Sequence, residues 1–302
     1  MSRPQVVHVD ACSLCPSTGS LRESHIIPSF VFDWLMGSSA TGFMRFGPAP
    51  NLRVQDGFKQ RLLCDACEGL FSAWESETAR SVFRPYHSDT SAVMPYGPWL
   101  AKFCASVCWR VLFIFRGLGM KNFSDEQSAL ATEAIRTWSD FMKDRAPNPG
   151  AFELHLLPVD VLARASGSEL PPNMNRYLAR AVEMDAVSSN KSAFVYAKLC
   201  KLILVGFVQM PRRREWVGTR VAVKGGVIRP RDRGAPTGFG EYLAARARNM
   251  AALQATISPR QKEKISTAMR VNLGRASASE TFEAMFYDVA MFGKAAFEAP
   301  EE

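Results

Sequence analysis

The apolar positions of this chain change period along its length. Residues 99–115 are almost continuously apolar, interrupted by Lys102 and Arg110, and predict a buried helix that ends at Gly117 or Gly119. Ser124 predicts the cap of a second helix. Gln127 serves as its capping-box partner, and Leu130, Ala134, Trp138, Phe141 and Met142 form an apolar stripe that stops before Pro147. The two helices are expected to pack as a hairpin. From residue 152 to 233 the helical period gives way to β-type runs at 152–157 and 193–208. A further alternation through Trp216, Arg220, Val221 and Val223 predicts a hairpin turning at Lys224, Gly225 and Gly226. Helices return beyond Pro236, at 239–256, from Ser258-Pro259 onward, and at 279–292.

The N-terminal third has a different texture. Residues 1–95 are rich in loops, Gly and Pro, and hold four of the seven cysteines and three of the four histidines. A boundary near Pro95, Gly97 and Pro98 divides the chain into 1–95 and 96–302, and the expected fold class is α+β. With 302 residues, 47% hydrophobic and 22% charged, the composition excludes a mainly disordered, collagen-like or coiled-coil chain.

Charge narrows the partners. The net charge is +8, and between residues 211 and 250 ten cations face three acids, a local balance of +7. Arg212, Arg213, Arg214, Arg220, Lys224, Arg229, Arg231 and Arg233 are the candidate contacts for nucleic-acid phosphate, with Trp216 available to stack on a base. A solvated loop that keeps the chain soluble is the plainer reading of the same residues. The first fifteen residues lack the charged head and apolar run of a secretory signal. The 99–115 stretch is shorter than the ~20 residues of a membrane span and carries two cations. A cytoplasmic protein with no membrane partner is expected. The C-terminal body remains as a surface for a protein partner or a second copy.

A reducing compartment disfavours disulfides, so paired cysteines are read first as metal ligands. Cys12 and Cys15 form one C-x2-C pair, and Cys64 and Cys67 form another. Four thiolates at two such knuckles make a tetrahedral set for a structural Zn2+, brought together by the folded excursion between them. Cys104 and Cys108, one helical turn apart, and Cys200 read as core residues.

Between the knuckles lies Arg22-Glu23-Ser24-His25-Ile26-Ile27-Pro28, and directly after the second comes Glu68, opening a helix toward Arg84. In the order of these three motifs, residues 9–85 resemble the HNH, or ββα-metal, endonucleases. The resemblance implies a treble-clef-like zinc module followed by a mostly helical body with a small antiparallel sheet. It implies metal-dependent cleavage of DNA phosphodiesters, with His25 as general base and Cys12, Cys15, Cys64 and Cys67 on structural zinc. Glu68, with Ser24, would hold a catalytic Mg2+ or Mn2+. Ser24 stands where the family commonly has Asp or His, and the family's central Asn has no counterpart just before the second knuckle, Asn51 lying thirteen residues ahead of Cys64.

These departures favour an alternative, a catalytically degenerate zinc module kept for binding nucleic acid or a protein. Taken apart from the motif, His25 reads as a hydrogen-bonded structural histidine and Glu68 as an acid complementing a helix dipole. Glu23, Glu75 and His87 are candidates for additional ligands, although strand alternation turns Glu23 away from Ser24.

Overall fold

A computed structural model of the chain describes residues 7, 9–164, 170–230 and 236–298. The N-terminal part begins with the Cys12–Cys15 turn, then β1 (Leu21–His25), α1 (Ser29–Gly37), two short strands β2 (Met44–Arg45) and β3 (Arg53–Val54), and β4 (Lys59–Cys64). β4 runs directly into α2 (Asp65–Thr78), which continues through a π-helical segment, Ala79–Phe83, into α3 (Arg84–Ser88). β1 and β4 are antiparallel, with His25 opposite Lys59 and Leu21 opposite Cys64, and the register slips between Arg22 and Glu23. β2 and β3 pair as a separate finger within the excursion.

The body opens with β5 (Met94–Tyr96), α4 (Trp99–Gly117) and α5 (Asp125–Met142). The capping box read from Ser124 and Gln127 is formed, each residue bonding the other's backbone N–H. α4 is buried along nearly its whole length, including Lys102 and Arg110. The Lys102 ammonium donates to the Phe141 and Met142 carbonyls at the end of α5, at 2.6 and 3.2 Å. A cation there satisfies carbonyls that have no partner within their own helix.

β6 (Leu154–Pro158), α6 (Met174–Arg180), β7 (Val182–Ser189), β8 (Ser192–Leu199) and β9 (Leu202–Gln209) follow. The strands form one antiparallel sheet in the order β6-β9-β8-β7. Both of its faces are covered. Val195, Ala197, Leu202 and Leu204 join the core built around α4 and α5. Tyr196, Ile203, Val205 and Phe207 alternate with them and join a second core. A sheet buried on both sides reads as an unbroken apolar run, which is why the sequence 193–208 shows no alternation. The run folds back on itself between β8 and β9 at Cys200, whose φ is +55°. At Gly206 a Cβ would meet the Cys108 sulfur at 2.8 Å, so glycine permits the contact of β9 with α4.

β10 (Gly226–Ile228), α7 (Phe239–Ala255), α8 (Pro259–Val271), α9 (Leu273–Ser277) and α10 (Glu280–Phe292) complete the chain. The expected hairpin at 224–226 does not form. β10 pairs instead with β5, and the stretch before it makes a short 3-10 turn at Arg213–Trp216 and a single bridge from Arg220 to His155. Trp216 drives the difference. Its indole is buried against Phe207, His155 and Phe239, which removes it from any exposed strand. The fold is therefore α+β with small antiparallel sheets, and no described helix is long and apolar enough to cross a membrane. The core runs without interruption from Cys12 and Leu14 through α4 to β9, across residue 95.

Candidate metal centre and catalytic site

The pairing of β1 with β4 puts the two cysteine knuckles together. Leu21 lies opposite Cys64, and the backbone N–H of Ser13 donates to the Leu62 carbonyl at 3.0 Å, so the first knuckle is tied to the strand that leads into the second. Cys12, Cys15, Cys64 and Cys67 place their sulfurs within 4.8 Å of one another, and Cys15 and Cys64 are 3.6 Å apart. Four Zn–S bonds of 2.3 Å in a tetrahedron require sulfurs about 3.8 Å apart. The donor set fits a metal ion such as zinc, and among the described residues it is the group of ligands that gathers this closely.

The four thiols are not equivalent. Burial pushes the Cys12 thiol up, but the backbone N–H groups of Cys64, Cys15 and Leu14 outweigh it and bring it down to about 7. Burial, then hydrogen bonds shared with Cys15, Cys64 and Cys12, pushes the Cys67 thiol well up. Thiols crowded in this way compete for protons that a divalent cation would displace.

Beyond the sulfurs, β1 and the first turn of α2 lie side by side. The fully buried Ser24 hydroxyl donates to the Glu68 Oε2 at 2.5 Å. Asp65 and Glu68 are the acids of that turn, where the helix dipole favours negative charge. Glu23 also reaches this side. The register slip at Arg22/Glu23 accompanies its placement on an open cleft of about 720 Å³, lined as well by Arg22, Arg61, Asp65 and Glu68. The alternation argument that turned it away from Ser24 holds, yet it borders the same cleft as Glu68.

His25 is tied to a residue that the sequence did not single out. Its Nε2 lies 2.6 Å from the Asp56 carboxylate, which is also 2.5 Å from the Lys59 ammonium. Burial raises the Asp56 carboxyl, but Lys59, then His25, then the Gly57 N–H hold it below the ordinary carboxylate range. In a neutral ring, an Nε2 proton directed at Asp56 leaves the lone pair on Nδ1. A signal was present in the sequence: Asp56-Gly57 is a turn dipeptide three residues before Lys59, the cross-strand partner of His25.

The other candidates are accounted for by packing. Glu75 accepts a 2.6 Å bond from the buried Arg110, whose other nitrogens bond the His25 and Ser106 carbonyls, so it is a structural ion pair. The His87 ring stacks on Phe83, bonds the Phe83 carbonyl through Nδ1, and accepts the Lys201 N–H at Nε2. Burial pushes it down to about 3, which keeps it neutral.

The basic segment is partly spent on structure. Arg213 and Arg220 reach the buried Glu153 carboxylate at 3.2 and 3.3 Å, and Arg212 pairs with Glu215 at 3.1 Å. Arg214, Lys224 and Arg229 are exposed. Arg231 and Arg233 lie outside the described residues, and Trp216, being in the core, is not available to stack on a base. Cys104, Cys108 and Cys200 are buried core residues, as expected. Compared with known proteins, the chain matches no family model, no curated protein and no solved structure.

Proposed function

We propose that the chain is a metal-dependent endonuclease of the HNH type that hydrolyses DNA phosphodiesters, with zinc held by the four cysteines as a structural element. The observation that supports this reading most is the junction of β1 with α2, where Ser24 touches Glu68 while the next residue, His25, carries a carboxylate-oriented imidazole. His25 takes the proton of an attacking water at Nδ1. Asp56 fixes the ring and its tautomer and balances the charge that the ring gains.

Glu68, with Ser24, would hold the divalent ion, and Glu23 borders the same cleft. Mg2+ or Mn2+ there supplies charge stabilisation to the phosphate and the leaving oxygen. Plasmid nicking with added Mn2+ and an EDTA control tests the activity. His25→Ala should keep the fold and the zinc but abolish cleavage, and Asp56→Asn should slow it roughly tenfold to a hundredfold. Equal cutting by wild type and His25→Ala refutes the assignment.

One observation favours a second reading. Ser24 is a neutral ligand position whose hydroxyl is already engaged by Glu68, leaving Glu68 as the one charged ligand contributed by the β1–α2 contact. A degenerate module that binds nucleic acid or protein would bind DNA without nicking it under any divalent ion.

A further inference from the structure

The finger between β1 and β4 carries two arginines that form no ion pair among the described residues. Arg45 and Arg53 are directly opposite each other on β2 and β3. Both guanidinium groups lie over one ring, Phe43, at 5.7 and 3.9 Å from its centre. Like charges in that register repel.

Arg45 donates to the Pro50 carbonyl and the Gln261 side chain, while its buried Nε has no hydrogen-bond partner. Arg53 is exposed, and neither arginine is in an ion pair among the described residues. The start of α8 joins the same place: Asn51 accepts from the Ser258 N–H and donates to the Thr256 carbonyl, each at 2.9 Å. The first turn of α8 holds no acid, and Arg260 and Lys262 are exposed on it. Cations at a helix N-terminus add to its dipole instead of opposing it. An arginine pair thus meets a helix start whose first turn carries two further cations and no acid.

We propose that this finger is a phosphate-binding subsite for the nucleic-acid backbone, with Arg53 and Arg45 contacting a phosphodiester group over Phe43. The proposal rests on the nucleic-acid reading above and moves the backbone contact away from residues 212–233, where Arg213 and Arg220 already serve Glu153. A backbone strand is favoured over an acidic protein because the finger lies within the excursion joining β1, which carries His25, to β4, which leads into Glu68. Asp56, two residues beyond β3, bonds the His25 ring, which ties the end of the finger to that histidine. Guanidinium forks also match the phosphate oxygens in pairs.

The test uses the full chain and a fluorescein-labelled 20-base-pair duplex, with binding read by anisotropy over a salt series and no added divalent ion. Among the described residues the Arg53 side chain makes no hydrogen bond, so Arg53→Gln should fold normally, bind roughly threefold to tenfold more weakly, and reduce the salt slope by about 1. Arg53→Glu should lose more, and Arg214→Gln should lose less than either. Unchanged affinity of Arg53→Glu overturns the subsite; if His25→Ala still abolishes nicking, the nuclease reading survives. A wild type that binds no duplex overturns both. Displacement of the duplex by polyglutamate at equal charge reassigns the finger to an acidic protein.

Discussion

The Nη1 of Arg110, in the middle of α4, donates a 2.6 Å hydrogen bond to the main-chain carbonyl of His25, at the end of β1. The same guanidinium pairs with Glu75 on α2 at 2.6 Å and lies over Phe71. One buried cation from the body therefore fixes both elements of the candidate site. Its charge is matched by Glu75, and three of its nitrogens are bonded, which is the condition under which a guanidinium survives in a core.

Arg110→Met should be costly for this reason. It leaves the mostly buried Glu75 without its partner, and breaking such a pair by removing one member costs about 3–5 kcal/mol. Thermal unfolding should show a large fall in midpoint, whereas the double variant Arg110→Met/Glu75→Leu should recover much of it. Full stability of the single variant would mean that the ion pair does not hold the module.

The metal reading predicts one tightly held transition metal per chain, measured by elemental analysis. Cys67→Ser should lose it, because a closed structural site needs all four sulfurs. Limited proteolysis should then cut within residues 9–95 first, since the β1–β4 junction draws its order from the same cluster. Metal-free wild type with unaltered protease resistance would remove zinc from the account.

His87 gives a pH dependence. Its folded pKa is pushed down to about 3, mainly by burial, while an unfolded histidine titrates near 6.5. Between those values the unfolded chain binds the extra proton, so the contribution to stability is present above about 6.5 and is lost as pH falls toward 3. The slope approaches about 1.4 kcal/mol per pH unit in the middle of that window. Urea unfolding from pH 4.5 to 7.5 should show a shallower dependence in His87→Gln than in wild type. His155, pushed down to about 4 by burial and then by Arg220 and Arg213, adds a slope of the same sign to both proteins.

Trp216→Ala should act on folding. The indole fills a core with Phe207 and Phe239, and truncating a buried tryptophan costs about 3–5 kcal/mol. A shift of the urea midpoint is expected, with duplex affinity of the remaining folded protein unchanged. Weakened duplex binding at wild-type stability would restore the stacking role read from sequence.

Features encoded by contiguous residues were legible without coordinates. The C-x2-C knuckles, the capping box of Ser124 and Gln127, the buried helix at 99–117 and the later helices at 239–256 and 279–292 each follow from side chains a few positions apart. Local backbone geometry alone can satisfy them. Tertiary structure decided which distant groups meet. Asp56 reaches His25 through strand pairing, Arg110 takes Glu75 out of the ligand set from another helix, and Arg213 and Arg220 are claimed by Glu153. Trp216 was misplaced because an apolar alternation does not reveal which of two cores will bury it. A buried charge or ring is fixed by what surrounds it in space, and that surrounding is assembled from residues tens of positions away in the chain.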